Sequence, residues 1–216
     1  MTLASLAVID YEMGNLHSAC KGLEQVGAAV TVVSQPNRLE QFDGLVLPGV
    51  GSFDPAMRSL RRQGFEAPLA AAVARQQPLL GICLGMQLLF DRSDEGCEAG
   101  LGFVPGTVRR LRPEPGITVP HMGWNQLQLA QPHSPLWMGV AEGAWAYFVH
   151  SFHAVPTDAS WTSAIATHGN QQVTAAIAKG SVFATQFHPE KSAAAGLQIL
   201  TNFIQLAAIS ARQPAA

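Results

Sequence analysis

The sequence predicts an α/β fold, an open and mostly parallel doubly wound sheet with helices on both faces and antiparallel strands added in the second half. Three observations predict it. Short apolar runs alternate with helix-length amphipathic segments through the first ninety residues, the rhythm of parallel βαβ units. Two of those runs end abruptly in glycine-bearing turns, at Pro48-Gly49-Val50-Gly51 and Gly81-Ile82-Cys83-Leu84-Gly85. From about residue 103 the rhythm changes to short β-like runs between turns, with few helix patterns.

The elements follow in order. Residues 3–10 form an apolar run closed by an acid, a buried strand. Asn15 is a good helix cap, and the helix it opens runs through Leu16, Leu23 and Val26 to a stop at Gly27. Residues 28–33 contain Val30, Val32 and Val33, which favour a pleated surface. The run 44–47 is the next strand. Asp54-Pro55 has the form of a cap followed by proline in the first turn, opening an arginine-rich helix, and 67–75 is a further helix. A strand at 78–83 runs directly into a helix at 84–92. The later β-like runs are 107–111, 125–129, 144–152, 160–167, 173–178 and 181–186, expected to extend the parallel sheet rather than to form a separate domain. A last helix, 192–209, sets Leu197, Leu200, Ile204 and Ala208 on one face. Residues 1–210 are expected to form one domain, with 211–216 a frayed tail.

Composition narrows the function. Of 216 residues, 48% are hydrophobic and only 13% charged, so a large core is available and disorder is disfavoured. A formal charge of −2 gives no electrostatic case for nucleic acid or an anionic membrane. The N-terminus has no basic segment before its apolar run, unlike a signal peptide, and no uninterrupted apolar stretch approaches the roughly 18 residues of a membrane span. Three cysteines, Cys20, Cys83 and Cys97, make no even disulfide framework. The expectation is a soluble protein in a reducing cytoplasm.

Gly81-Ile82-Cys83-Leu84-Gly85 has the form of a nucleophile elbow with sulfur in place of oxygen. A side chain on a tight strand-to-helix turn projects above the carboxyl edge of the sheet, and glycines on either side let the turn close. The helix beginning at Leu84 would favour thiolate over thiol at Cys83, and the Leu84 amide is placed to donate to an oxyanion. Alone, Cys83 would read equally well as a small buried hydrophobe. Cys20 and Cys97 have no comparable setting and read as structural. The base is His188. In an extended Phe187-His188-Pro189-Glu190, residues 188 and 190 point to one side, so the carboxylate can fix the imidazole tautomer while the other ring nitrogen faces the thiol. None of the six other histidines has an acid two residues away. His150 and His153 lack further ligands at metal-binding spacing, so no metal and no cofactor are expected.

These motifs resemble the class I (triad) glutamine amidotransferases, and most closely the glutaminase subunits of imidazole glycerol phosphate synthase. The segments that carry the resemblance are 10–16, 48–51, 81–90, 119–125, 147–151 and 186–192, in this order and across most of the chain. One departure is Glu12, where the family often has glycine, which bears on the local loop. The resemblance implies a flavodoxin-like sheet. It implies that Cys83 attacks the side-chain amide of L-glutamine, that His188 serves as base and then acid, and that Glu190 orients it. Gly49, Val50 and Gly51 would form an oxyanion strand completing the hole with Leu84, and Gln87, Ser151 and Phe152 would contact substrate. Ammonia would pass to a (β/α)8-barrel synthase subunit that makes imidazole glycerol phosphate and AICAR in histidine biosynthesis. Asn15, Met122, Trp124, Asn125, Tyr147 and Lys191 are the candidate contacts with that subunit, Trp being a frequent interface anchor. Three alternatives stand beside this reading: a cysteine hydrolase of protease or deglycase type, a non-catalytic binding module, and an amidotransferase of another pathway.

Overall fold

The computed structural model describes residues 4–210. Its first half contains β1 (Ser5–Ile9), α1 (Leu16–Gln25), β2 (Ala29–Val33), β3 (Gly44–Gly49), α2 (Phe53–Arg62), α3 (Glu66–Ala74), β4 (Leu79–Cys83) and α4 (Leu84–Leu88). The second half contains β5 (Phe90–Ser93), β6 (Val104–Arg110), β7 (His121–Gln126), β8 (Gln128–Leu129), β9 (Trp145–His150) and β10 (Phe152–Pro156). It closes with β11 (Thr162–His168), β12 (Gln171–Lys179), β13 (Val182–Thr185) and α5 (Ala193–Ser210). The eight-stranded sheet runs β2-β1-β3-β4-β13-β12-β11-β8. Its first five strands are parallel and the rest antiparallel.

The apolar runs are continuous because both faces of this sheet are covered. Leu6, Val8, Val46, Leu80 and Ile82 enter one core, with Leu23 of α1 and Leu200 and Phe203 of α5. Their neighbours in sequence, Ala7, Ile9, Leu45, Leu47 and Leu79, enter the other, with Met57 of α2 and Leu69 of α3. Each fully buried Leu, Ile or Phe contributes roughly 1.5–3 kcal/mol. Parallel strands carry their ends to one edge, so the carboxyl ends of β1, β3, β4 and β13 meet there.

Several expectations need correction. The elbow helix stops at Leu88 rather than continuing to residue 92, because Phe90–Ser93 leaves to pair with β6. Asp54 is not a cap. The helix begins earlier, at Phe53, whose N–H is capped from afar by the Glu95 carboxylate at 2.8 Å, while Asp54 accepts the N–H groups of Cys97 and Glu98. The second half does not simply extend the main sheet. Strand β13 joins it in parallel beside β4, whereas β10-β6-β5 and β7-β9 form separate sheets. Strand β10 was hidden in sequence because Ser151 alone separates it from β9. On α5 the buried stripe is Ile199, Leu200, Phe203, Ile204 and Ala207, with Leu197 and Ala208 only half-buried at its flanks. By length and composition α5 is apolar enough to cross a membrane, yet this stripe lies on the sheet and Asn202 donates to the carbonyls of Leu136 and Met138. Leu3 and the tail 211–216 lie outside the described residues.

Candidate active site

Cys83 sits at the β4–α4 corner with φ 55° and ψ −110°, a strained conformation for a residue with a side chain. The close packing of this corner explains the flanking glycines. A Cβ on Gly85 would collide with the Leu47 carbonyl of β3, and one on Gly81 would lie 2.9 Å from the Gly85 oxygen. With only five residues α4 carries little macrodipole, so the expected help from the helix is small.

The base comes from the end of β13. His188 and Glu190 pair through Nδ1 and Oε1 at 2.9 Å, with both side chains almost wholly buried. The pairing does not come from an extended chain, as expected, but from a 3-10 turn over Pro189–Lys191. That turn is held on both sides. The His188 N–H donates to the Tyr147 carbonyl, and Ser192 Oγ donates to the His188 carbonyl. Helix α1 presses on Glu190 at Gly22, where a Cβ would come within 2.8 Å of the Glu190 Cβ. Burial opposes a charge on His188, but its hydrogen bonds to Cys83 and Glu190, and their charges, outweigh burial and push its pKa up to about 9. Glu190 Oε2 has no partner among the described residues.

Cys83 and His188 open into one cavity of about 440 Å³, together with Val50, Gly51, Leu84, Gln87, Ser151 and Phe152. The sequence candidates for nucleophile, base, oxyanion strand and substrate contact therefore converge. The oxyanion strand has one donor turned away, since the Val50 N–H donates to the Met13 carbonyl at 2.8 Å. Leu84 is the first residue of α4, where N–H groups have no intrahelical acceptor. Gly51, at φ +100°, gives the strand its turn. Gln87 is more committed than expected. Its Nε2 donates to the Phe152 carbonyl at 2.9 Å and to Gln186 Oε1 at 3.0 Å.

Sequence reasoning missed what lies behind the cavity. His150 Nδ1 donates to the Phe152 carbonyl at 2.8 Å, and a carbonyl can only accept, so the proton is on Nδ1. His150 Nε2 then accepts from His121 Nδ1 at 3.0 Å, and His121 Nε2 accepts from Asn125 Nδ2 at 3.1 Å. Burial first, and then the neighbouring histidines, depress both: His150 to about 3 and His121 to about 4. The pairing of His121 with His150 across β7 and β9 follows from strand register, which no local motif reveals.

The candidate contact residues divide by strand face. Met122 and Trp124 of β7 are 62% and 51% exposed, and Trp124 meets the half-buried Tyr147 edge-on across the ribbon. Trp145, 54% exposed, extends the same face and was not anticipated. Asn125 is half-buried. It points to the opposite face, where its amide is bound by His121 and the Thr167 carbonyl. Asn15 caps α1 by accepting the Ser18 N–H, and Lys191 is exposed beside the base. Glu12 has φ 67°, which explains why glycine suits this position; its carboxylate binds Arg62 at 2.6 Å.

Comparison with known proteins agrees with this geometry. The profile for "Glutamine amidotransferase class-I" matches residues 7–206. The imidazole glycerol phosphate synthase subunit HisH of Synechococcus sp. (strain JA-3-3Ab) is 61% identical over 216 residues, covering 100% of this chain and 99% of that protein. The subunit of the same name from Microcystis aeruginosa is 60% identical, covering 95% of this chain and 96% of that protein. Among solved structures, PurLQS from Thermotoga maritima superposes with a TM-score of 0.75 at 19% identity, over 94% of this chain and 98% of that one, and shares the fold. The chain belongs to the class-I glutamine amidotransferase family, within its group of imidazole glycerol phosphate synthase HisH subunits.

Proposed function

We propose that Cys83, His188 and Glu190 perform the glutaminase reaction of a HisH subunit, releasing from glutamine the ammonia used in histidine biosynthesis. The meeting of Cys83 and His188 in one cavity, with Glu190 paired to the imidazole from behind, carries the reading. The Cys83 sulfur, as thiolate, adds to the side-chain carbonyl carbon of glutamine. The His188 imidazolium gives its proton to the departing nitrogen, and ammonia leaves a γ-glutamyl thioester. Water then attacks the thioester, His188 takes a proton from it, and glutamate and thiolate are restored. Glu190 holds the imidazole in the tautomer that presents Nε2 to sulfur. Residues 1–210 act as one amidotransferase domain, and the free thiols Cys20, Cys83 and Cys97 suit the reducing cytoplasm.

The oxyanion requires donors. Leu84 offers one, and the second is the Val50 N–H, which must leave the Met13 carbonyl by rotation of the Gly49–Val50 peptide. We assign the trigger to the partner, a (β/α)8-barrel synthase subunit that docks on the Met122, Trp124 and Tyr147 face beside the cavity and receives the ammonia. The test is glutamine hydrolysis by the purified chain with and without the cognate barrel subunit. Turnover is expected to rise at least about a hundredfold on docking, the worth of an oxyanion donor. Full turnover by the isolated chain would refute the rotation, and no turnover in either state would refute the assignment of the three residues.

A further inference from the structure

The nucleophile has a neighbour that the mechanism above does not use. Gln186, 0% exposed, lies between β13 and the base, and its Nε2 is 3.8 Å from the Cys83 sulfur. A side-chain amide has two ends, and which end faces the sulfur decides its effect. The orientation is set by a chain of one-way bonds. The Phe152 carbonyl can only accept, so Gln87 must turn its NH2 toward it. The second hydrogen of that NH2 then points at Gln186 and requires an oxygen there. With its oxygen so engaged, Gln186 is left with its NH2 toward Cys83. The sulfur also meets the Val149 carbonyl at 4.0 Å, which can only accept. A protonated sulfur is thus served by Val149, and a thiolate by Gln186.

We propose that Gln186 is a positioning residue for the reaction: its buried amide, turned by Gln87, holds an N–H against the Cys83 sulfur, favours the thiolate and aims its lone pair into the cavity. The inference rests on the assignment of Cys83 as nucleophile. An N–H donor to an anionic sulfur is a charge-assisted bond, stronger than its neutral counterpart. It weakens once sulfur becomes part of the neutral thioester, so its influence is confined to the free enzyme and the attacking step. The titratable groups around the sulfur are His188 and Glu190 after β13, Tyr11 after β1, His150 on β9, and Glu95 on the cavity wall. Replacing Gln186 removes none of these groups.

The test uses the complex with the barrel subunit and two substitutions, Gln186→Met, which keeps the volume, and Gln186→Asn, which keeps the amide but withdraws it by one methylene. Alkylation of Cys83 by iodoacetamide is followed against pH, with peptide mass spectrometry separating Cys83 from Cys20 and Cys97. Both variants are expected to move the half-maximal pH of alkylation upward by about one unit, roughly tenfold less reaction at neutral pH. The acid limb of kcat/KM for glutamine should move with it, while KM at high pH changes less than about twofold. An alkylation profile superposable on that of the parent, in either variant that folds, overturns the proposal and leaves Gln186 a packing residue. Cys83→Ser is assayed alongside. If it retains glutaminase activity, the assignment of the nucleophile has failed, a result distinct from the failure of Gln186.

Discussion

Replacing Glu190 by glutamine tests the base most directly, because shape is kept while charge and donor pattern change. Against the opposing effect of burial, Cys83 and Glu190, through hydrogen bonds and charge, push the His188 pKa up from 6.5 to about 9. At 1.36 kcal/mol per pH unit, its surroundings favour the imidazolium by about 3 kcal/mol, after burial has already been overcome. Cys83 and Glu190 share that stabilisation. Glu190→Gln therefore lowers the His188 midpoint. The kinetic effect should be larger. A carboxylate can only accept and therefore forces the proton onto Nδ1, whereas an amide can turn its NH2 to the ring and leave Nε2 protonated, unable to receive a proton. Loss of the orienting acid in comparable triads costs about 10⁴ in kcat. A fall of 10²–10⁴ in glutamate release by the complex is expected, with a loss of stability on the order of 1 kcal/mol because the buried imidazolium loses its carboxylate partner. The assays are glutamate release under saturating glutamine, NMR titration of the His188 ring, and thermal melting. Activity within tenfold of the parent, with an unmoved ring titration, would refute the role given to Glu190.

The pH dependence of stability should carry the mark of the two buried imidazoles. His121 and His150 are held neutral, near 4 and 3, against 6.5 when unfolded, so the native state is at full advantage above pH 6.5 and loses it as pH falls toward those values. From pH 7 to 5 the two together remove about 4 kcal/mol, measurable by urea unfolding at those two pH values, and His121→Gln should halve that dependence. Trp124→Ala should weaken binding of the barrel subunit by about 2 kcal/mol or more, some thirtyfold by calorimetry, and leave the melting temperature of the free chain unchanged because the ring is half exposed. Gly85→Ala forces a methyl group against the Leu47 carbonyl, which is backbone and has nowhere to go. More than about 2 kcal/mol of stability, or the elbow geometry and with it activity, should be lost, as read by denaturant unfolding and glutamate release.

What the sequence made legible was whatever local chemistry repeats in space. The parallel strands were visible because strands buried on both faces read as unbroken apolar runs. The elbow was visible because Gly81 and Gly85 are required by contacts on either side of a single turn. Asn15 and Gly27 marked the ends of α1 through capping alone. What escaped depends on distant pairing. Nothing near Asp54 announces that Glu95, more than forty residues on, supplies the cap. The β7–β9 ribbon fixes which face each residue takes, so the candidate contacts Met122 and Trp124 share one face while Asn125, one position further on, takes the other. Gln186 lay in full view beside the base, but its partner Gln87 is ninety-nine positions away, and only their meeting gives the amide a direction.

The Phe152 oxygen receives two hydrogens, one from Gln87 behind the elbow and one from His150 on the ribbon. Both of its lone pairs are therefore spoken for, and one atom ties two structural neighbourhoods that are far apart along the chain. Chimeras that graft the ribbon of one relative onto the elbow of another will inherit mismatched halves of this junction unless positions 87, 150 and 186 travel as a set.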